Sequence, residues 1–208
     1  MRYIWPKMKL CRREGINLFG SEKYNLSESH RKPLGSKFGK LSLFGKQLRK
    51  KQAAKRMFGL SEKQFAMYYK KAIRMAGVTG DNMLSLLERR LDNVVFRSSF
   101  ARTIMQSRQF VNHGHFQVNG QKVDIPSFLI SVGDVIALRD KMKDSPLYKS
   151  LVQEFEEFAN KNSQAVASPV KWLEIDAKNL TIKVLALPER SDFDQSIDIK
   201  SIIEFYSK

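Results

Sequence analysis

The sequence predicts an α+β fold: a mainly helical domain with a small module inserted in it, two helices packed on a short hairpin-containing sheet, and an irregular basic arm in front. Three observations carry this. Apolar residues recur at i, i+3 and i+4 through much of residues 61–96, the spacing of helices with one buried face. Asn119-Gly120 sits between β-forming residues, the strongest short-range hairpin signal. Charge is sorted along the chain, with net +13 in residues 1–56, +6 in 57–150 and −3 in 151–208.

Residues 1–45 carry Gly15, Gly20, Pro33, Gly35, Gly39 and Gly45 among scattered apolar side chains. That pattern predicts an irregular arm with a few short turns, ordered mainly by its partner. Helical signals start near Lys46. Residues 46–58 hold six Lys/Arg and no acid, so like charges repel at i,i+4 and phosphate alongside would relieve them. Gly59 ends this helix. Ser61 and Gln64 make a capping box for a helix over 61–76, with Phe65, Tyr68, Tyr69, Ala72, Ile73 and Ala76 inward and Gly77 as its C′ residue. Another helix is expected from about residue 81 to 96, burying Leu84, Leu87, Leu91, Val94 and Val95.

Thr103 and Gln106 form a second capping box, opening a helix over 104–112. A helical wheel puts Ile104, Ser107, Phe110 and Val111 on one side and Arg108, Gln109, Asn112 and His113 on the other. Gly114 closes it. Two strands flank a type I′ turn at Asn119-Gly120, and a third is expected over 135–138. Pro146, at a first helical position, begins a helix to about Ala159, with Leu147, Leu151, Val152, Phe155 and Phe158 inward. Residues 160–169 read as a loop, and 172–176, 180–185 and 201–206 as strands. The expected divisions are an arm (1–45), a first helical part (46–88), the module (89–150) and a C-terminal helix with strands (151–208) that packs back on the body.

Composition narrows the function class. A chain of 208 residues with 42% hydrophobic residues buries a real core, so it is no disordered basic tail. One cysteine excludes an intrachain disulfide and a thiolate zinc cage. No apolar run approaches the ~20 residues of a membrane span, and the first ten residues lack the apolar core of a secretion signal, so no membrane partner is expected. An excess of sixteen positive charges then points to a polyanion, with nucleic acid as the default.

The middle of the chain resembles something specific. Arg90-Leu91-Asp92-Asn93-Val94-Val95, Ser107-Arg108-Gln109, His113-Gly114-His115, Val118-Asn119-Gly120 and Gly133-Asp134 match the small RNA-binding module shared by the S-four family of ribosomal proteins and several RNA-modifying enzymes. CRREG at 11–15, LSEKQF at 60–65, GVTGDN at 77–82 and the ending IIEFYSK are similar to bacterial-type ribosomal protein S-four, so the resemblance covers nearly the whole chain. It implies a structural constituent of the small ribosomal subunit, not an enzyme. Such a protein is a primary binder of small-subunit ribosomal RNA at a multi-helix junction, nucleates assembly of the subunit body and influences translational accuracy. The implied neighbours are other ribosomal proteins, S-five among them, and messenger RNA where it enters. The implied location is the cytoplasmic ribosome, with an organellar ribosome as the alternative. Some members hold zinc with cysteines in the arm. Here Met8 stands three residues before Cys11 and no later cysteine exists, so a zinc-free version is expected, with no metal and no cofactor.

The residues expected on RNA are Arg12 and Arg13 in the arm, then Lys46, Arg49, Lys50, Lys51, Lys55 and Arg56 on the basic helix. In the module they are Arg102, Thr103, Arg108, Gln109, Asn112, His113, His115, Asn119 and Lys122. Guanidinium, amide and imidazole groups without clustered aromatics suit phosphate and 2′-hydroxyl contacts on folded RNA better than base stacking.

Rival chemistries find less support. His30, His113 and His115 with Cys11 lack metal-ligand spacing, and Cys11 has no placed His base. There is no GxxxxGK[ST] phosphate loop. Arg90-Leu91-Asp92 resembles the catalytic Asp motif of pseudouridine synthases, but only 58 residues follow Ser150, too few for their catalytic domain. Asp92 is therefore expected in a helix, paired with an Arg such as Arg89 or capping a turn. A stress factor that binds stalled large subunits through the same module is the remaining alternative.

Overall fold

The computed structural model describes residues 6–19, 22–24, 26, 41–161, 170–176 and 179–207. They form two compact units. One comprises Met1–Leu84 with Asp194–Lys208 and the other Ser85–Phe193. The expectations for residues 27–40 and 162–169, and for the side chains of Phe155 and Phe158, lie outside the described residues.

The first unit holds α1 (Lys7–Glu14), α2 (Leu43–Met57), α3 (Glu62–Ile73), the start of α4 (Thr79–Glu88) and α9 (Ile199–Tyr206). The arm is not wholly irregular, because α1 is a helix and Leu10, Cys11 and Leu18 bury with Ala53 of α2 in a small core. Scattered apolar residues hid this, since their partner lies some forty residues away in α2. Ser42 caps α2, accepting from Gly45 N at 3.2 Å. The expected Ser61–Gln64 capping box opens α3. Phe65, Tyr68, Tyr69 and Ala72 are buried, but α3 stops at Ile73, before Gly77. Ile73 is 53% exposed, so the stripe ends one turn early.

Residues 201–206, expected as a strand, belong to helix α9. Asp198 caps it, accepting from Ser201 N at 3.2 Å. Once the run is helical, Ile199, Ile202 and Ile203 share a face, and Ile202 is fully buried. The β-branched residues that suggested a strand are outweighed by this cap and face.

The second unit contains α5 (Leu91–Arg97), α6 (Ile104–Asn112), the short α7 (Asp140–Lys143) and α8 (Pro146–Lys161). Its sheet comprises β1 (Phe116–Val118), β2 (Gln121–Lys122), β3 (Val135–Leu138), β4 (Leu173–Asp176) and β5 (Thr181–Val184), in the antiparallel order β2-β1-β3-β5-β4. Asn119 (φ 49°) and Gly120 (φ 81°) make the type I′ turn between β1 and β2. The C-terminal strands extend the hairpin's own sheet, through pairing of β3 with β5.

The single helix expected over 81–96 is two. Arg90 breaks it with extended backbone (φ −65°, ψ 137°). Carbonyls of the 126–130 loop explain the break: Phe128 O accepts from Leu91 N at 2.9 Å and Pro126 O from Asp92 N at 3.2 Å. The orphan donors at the start of α5 are thus satisfied by tertiary contacts. Behind this seam Leu91, Val94, Val95, Val111, Phe116, Ile136, Leu138, Tyr148 and Ile182 belong to one buried core.

Candidate nucleic-acid interface

In the second unit the candidate surface is built on α6 and the hairpin. Thr103 caps α6, accepting from Gln106 N at 3.2 Å. The Gln106 side chain closes on Arg102 N at 2.8 Å rather than on Thr103, so the return bond lands one residue early. Ile104, Ser107 and Val111 face inward, while Gln109, Asn112 and His113 are exposed. The C-terminus is a Schellman turn: Gly114 N donates to Val111 O at 2.8 Å and His115 N to Phe110 O at 3.1 Å. Gly114 sits at φ +65°, and a Cβ there would lie 2.5 Å from Lys122 Cε. The glycine thus lets the stem of Lys122 cross the end of α6. Arg139 joins from the residue after β3, donating from Nη1 to Gly114 O at 3.0 Å. Sequence reasoning passed over Arg139 because it lies outside every motif.

Several predicted contacts are committed within the fold. Arg108 donates from Nε (2.9 Å) and Nη2 (2.7 Å) to Asp92 Oδ2. Arg90 holds the same carboxylate through Nε to Oδ1 (3.0 Å) and Nη2 to Oδ2 (2.7 Å). Ser107 Oγ donates to Asp92 O. Asp92 is wholly buried between these two cations, and its partners are Arg90 and Arg108, not Arg89. Arg89 instead donates to Ile130 O at 2.8 Å.

Asn119 is also engaged, donating to Asp134 Oδ1 at 2.8 Å and accepting from Val135 N at 2.9 Å. His115 is half-buried. Its ring stacks on Phe110 at 5.1 Å and its Nδ1 lies 2.9 Å from the Tyr148 hydroxyl. Burial, and then the charge of His113, hold His115 below the usual histidine value. Phe110 is itself only partly buried.

The first unit presents a second cationic surface, already divided by carboxylates. The sequence shows no acid within α2, yet acids reach it from other helices. The Glu14 side chain of α1 is wholly buried and accepts from Arg49 Nη1 at 3.4 Å and from Arg56 Nη1. Glu62 of α3 accepts from Lys51 Nζ at 2.6 Å and Lys55 Nζ at 3.1 Å. Against a burial penalty, hydrogen bonds from Lys51, Lys55 and Tyr206 hold the Glu62 carboxyl below the usual range. Lys51 is buried, with Nζ 4.2 Å from the centre of the Phe205 ring. Lys46 and Lys50 are exposed, and neither has an ion-pair partner among the described residues.

Of the arm arginines, Arg13 is exposed and Arg12 half-buried. Cys11 is buried in the arm core, which pushes its thiol up. No group of three or more His, Cys, Asp or Glu able to hold a metal comes together among the described residues, and none of their helices is long and apolar enough to cross a membrane.

Comparison with known proteins finds two matched stretches of the chain. Residues 2–88 match the Ribosomal protein S4/S9 N-terminal domain, and residues 89–136 match the S4 domain. The chain belongs to the S4 family of ribosomal proteins. Small ribosomal subunit protein uS4 of Heliobacterium modesticaldum is 44% identical over all of this chain and 99% of its own length. The uS4 proteins of Caldicellulosiruptor saccharolyticus and Caldicellulosiruptor bescii are 45% and 46% identical over the same shares. Family membership makes the chain a structural ribosomal protein with an RNA-binding module, not an enzyme. Asp92, which the enzyme reading would make catalytic, is instead sealed between two arginines.

Proposed function

We propose that this chain binds small-subunit ribosomal RNA at a multi-helix junction as a structural constituent of the small ribosomal subunit, nucleating assembly of its body and influencing translational accuracy. Ribosomal protein S-five is proposed as a neighbour, and messenger RNA as a contact where it enters.

The observation that carries the RNA reading is the pair of outward cationic and polar surfaces. One is made by the exposed Lys46 and Lys50 of α2, and Arg13 of the arm is exposed as well. The other is made by Gln109, Asn112, His113 and Lys122 around the Gly114 turn. Arg49, Arg56 and Arg108 are each a quarter exposed or less, so any contact they make uses the edge their carboxylate leaves open. The first surface offers cations and the second adds amides and an imidazole, groups that suit backbone and shape recognition.

Cosedimentation with separated subunits, followed by filter binding to small-subunit RNA across salt, tests the reading. Association with the small subunit and a steep fall of log affinity with log salt are expected. Preference for the large subunit, or affinity that is flat in salt, would overturn it.

A further inference from the structure

Glu14 is hard to explain by stability. Its side chain is wholly buried, and burial pushes its carboxyl up against the opposing charges of Arg56, Arg49 and Arg13. Among the described residues only Oε1 is used: Oε2 finds no hydrogen-bond partner there, nor does the buried Nε of the neighbouring Arg12. A buried ion pair with an unsatisfied oxygen commonly gains nothing over an apolar side chain of the same volume. The fold alone would be served as well by a methionine, which also favours helix.

What the carboxylate does is gather cations. Arg49 and Arg56 are seven residues apart on α2, two turns along one face and about 10 Å in rise. Each gives one Nη1 to the same oxygen and stays 25% and 22% exposed, and neither has a second side-chain partner among the described residues.

We propose that Glu14 is a positioning residue for RNA binding: its buried carboxylate fixes the Arg49 and Arg56 guanidinium groups side by side so that their outer edges meet one RNA backbone together. This rests on the RNA-binding reading above. Planar guanidinium groups held by a carboxylate on one edge take phosphate on another without first losing side-chain freedom. The arm therefore acts through α2 as well as through its own charges.

The lone cysteine supplies the control. Cys11 is fully buried three residues from Glu14, so its reactivity toward a thiol reagent reports whether α1 remains docked. Wild type, Glu14→Met, the Arg49→Gln/Arg56→Gln pair and the triple variant are compared by filter binding to small-subunit RNA across salt. Glu14→Met removes a negative charge, yet affinity should fall about tenfold and the salt slope should become shallower by one to two, as about two phosphate contacts are lost. Cys11 should stay protected, and adding Glu14→Met to the double arginine variant should change nothing further. Should Glu14→Met not fold, Glu14→Gln takes its place, with a smaller loss because its amide oxygen still accepts from one arginine.

Unchanged or tighter binding overturns the proposal. So does a loss of affinity accompanied by free labelling of Cys11, which makes Glu14 only a tether for α1. An additive loss in the triple variant overturns it as well. Wild-type chain that fails to bind small-subunit RNA overturns the functional reading instead.

Discussion

Arg108 shows how one side chain changes meaning once its partner is known. On the helical wheel it belongs to the polar face, so its loss should weaken RNA binding and leave stability alone. In the structure it neutralises a carboxylate with no exposure at all. Arg108→Ala leaves Asp92 to Arg90 alone, and losing a charge-assisted contact to a buried group costs about 1–3 kcal/mol. Stability and affinity should therefore fall together, whereas the exposed His113→Ala should lower affinity at unchanged melting temperature. Paired melting and filter-binding measurements check this, and an Arg108→Ala variant that melts like wild type would mean the pair does not hold in solution. His115 gives a pH prediction. Its folded value lies below the ordinary 6.5, so its contribution to stability is complete above 6.5 and is lost as pH falls toward and through the folded value. Melting between pH 5 and 8 should show this loss, reduced in His115→Gln, which keeps a hydrogen-bonding group near Tyr148 without a titrating ring.

Helices α3 and α9 show where local signals suffice and where they mislead. The capping box of α3 is present as expected, but the apolar stripe read from the sequence runs two residues too far, to the exposed Ile73 and Ala76. Ile73→Ser, on a side chain 53% exposed, should stay within about 0.5 kcal/mol of wild type. Phe65→Ala, with no exposure, should cost about 3–5 kcal/mol. Helix α9 has eight residues, too few to hold alone, so it depends on its cap and on packing against α2. Removing the cap in Asp198→Ala should cost about 0.5–2 kcal/mol and speed amide exchange across 199–206. Exchange as slow as in wild type would place all of the helix's stability in its packing.

Across the whole molecule the recurring device is a carboxylate that gathers two cations: Glu14 with Arg49 and Arg56, Glu62 with Lys51 and Lys55, Asp92 with Arg90 and Arg108. Each acid comes from a different element than at least one of its cations, so the net charge of +16 is spatially sorted, not merely abundant. Deleting residues 1–45 removes more than an RNA-binding tail. It takes away α1, the Ser42 cap and the carboxylate that holds Arg49 and Arg56. The first unit should lose exchange protection along α2, while residues 85–193, whose core contains no arm residue, keep theirs. Affinity should fall and the salt slope should flatten. Full retention of α2 protection would show that α1 contributes nothing to it.

Sequence alone determined the features that rest on near neighbours. The Ser61–Gln64 box, the Asn119-Gly120 turn, the Gly114 helix end and the polar run Gln109, Asn112 and His113 each involve groups within a few residues, and the structure reproduces them. The family was legible for the same reason, since its motifs are short and local. Tertiary structure decided whatever needed a distant partner. Helix α1 requires α2, the break at Arg90 requires carbonyls of the 126–130 loop, and α9, which read as a strand, packs against α2. It also decided which cations are committed. Lys46 and Lys51 are the same residue type on the same helix, α2, yet Lys51 is buried against Glu62 and Lys46 faces solvent. A charge's availability depends on what folds against it, and spacing along one helix carries no record of an acid arriving from another.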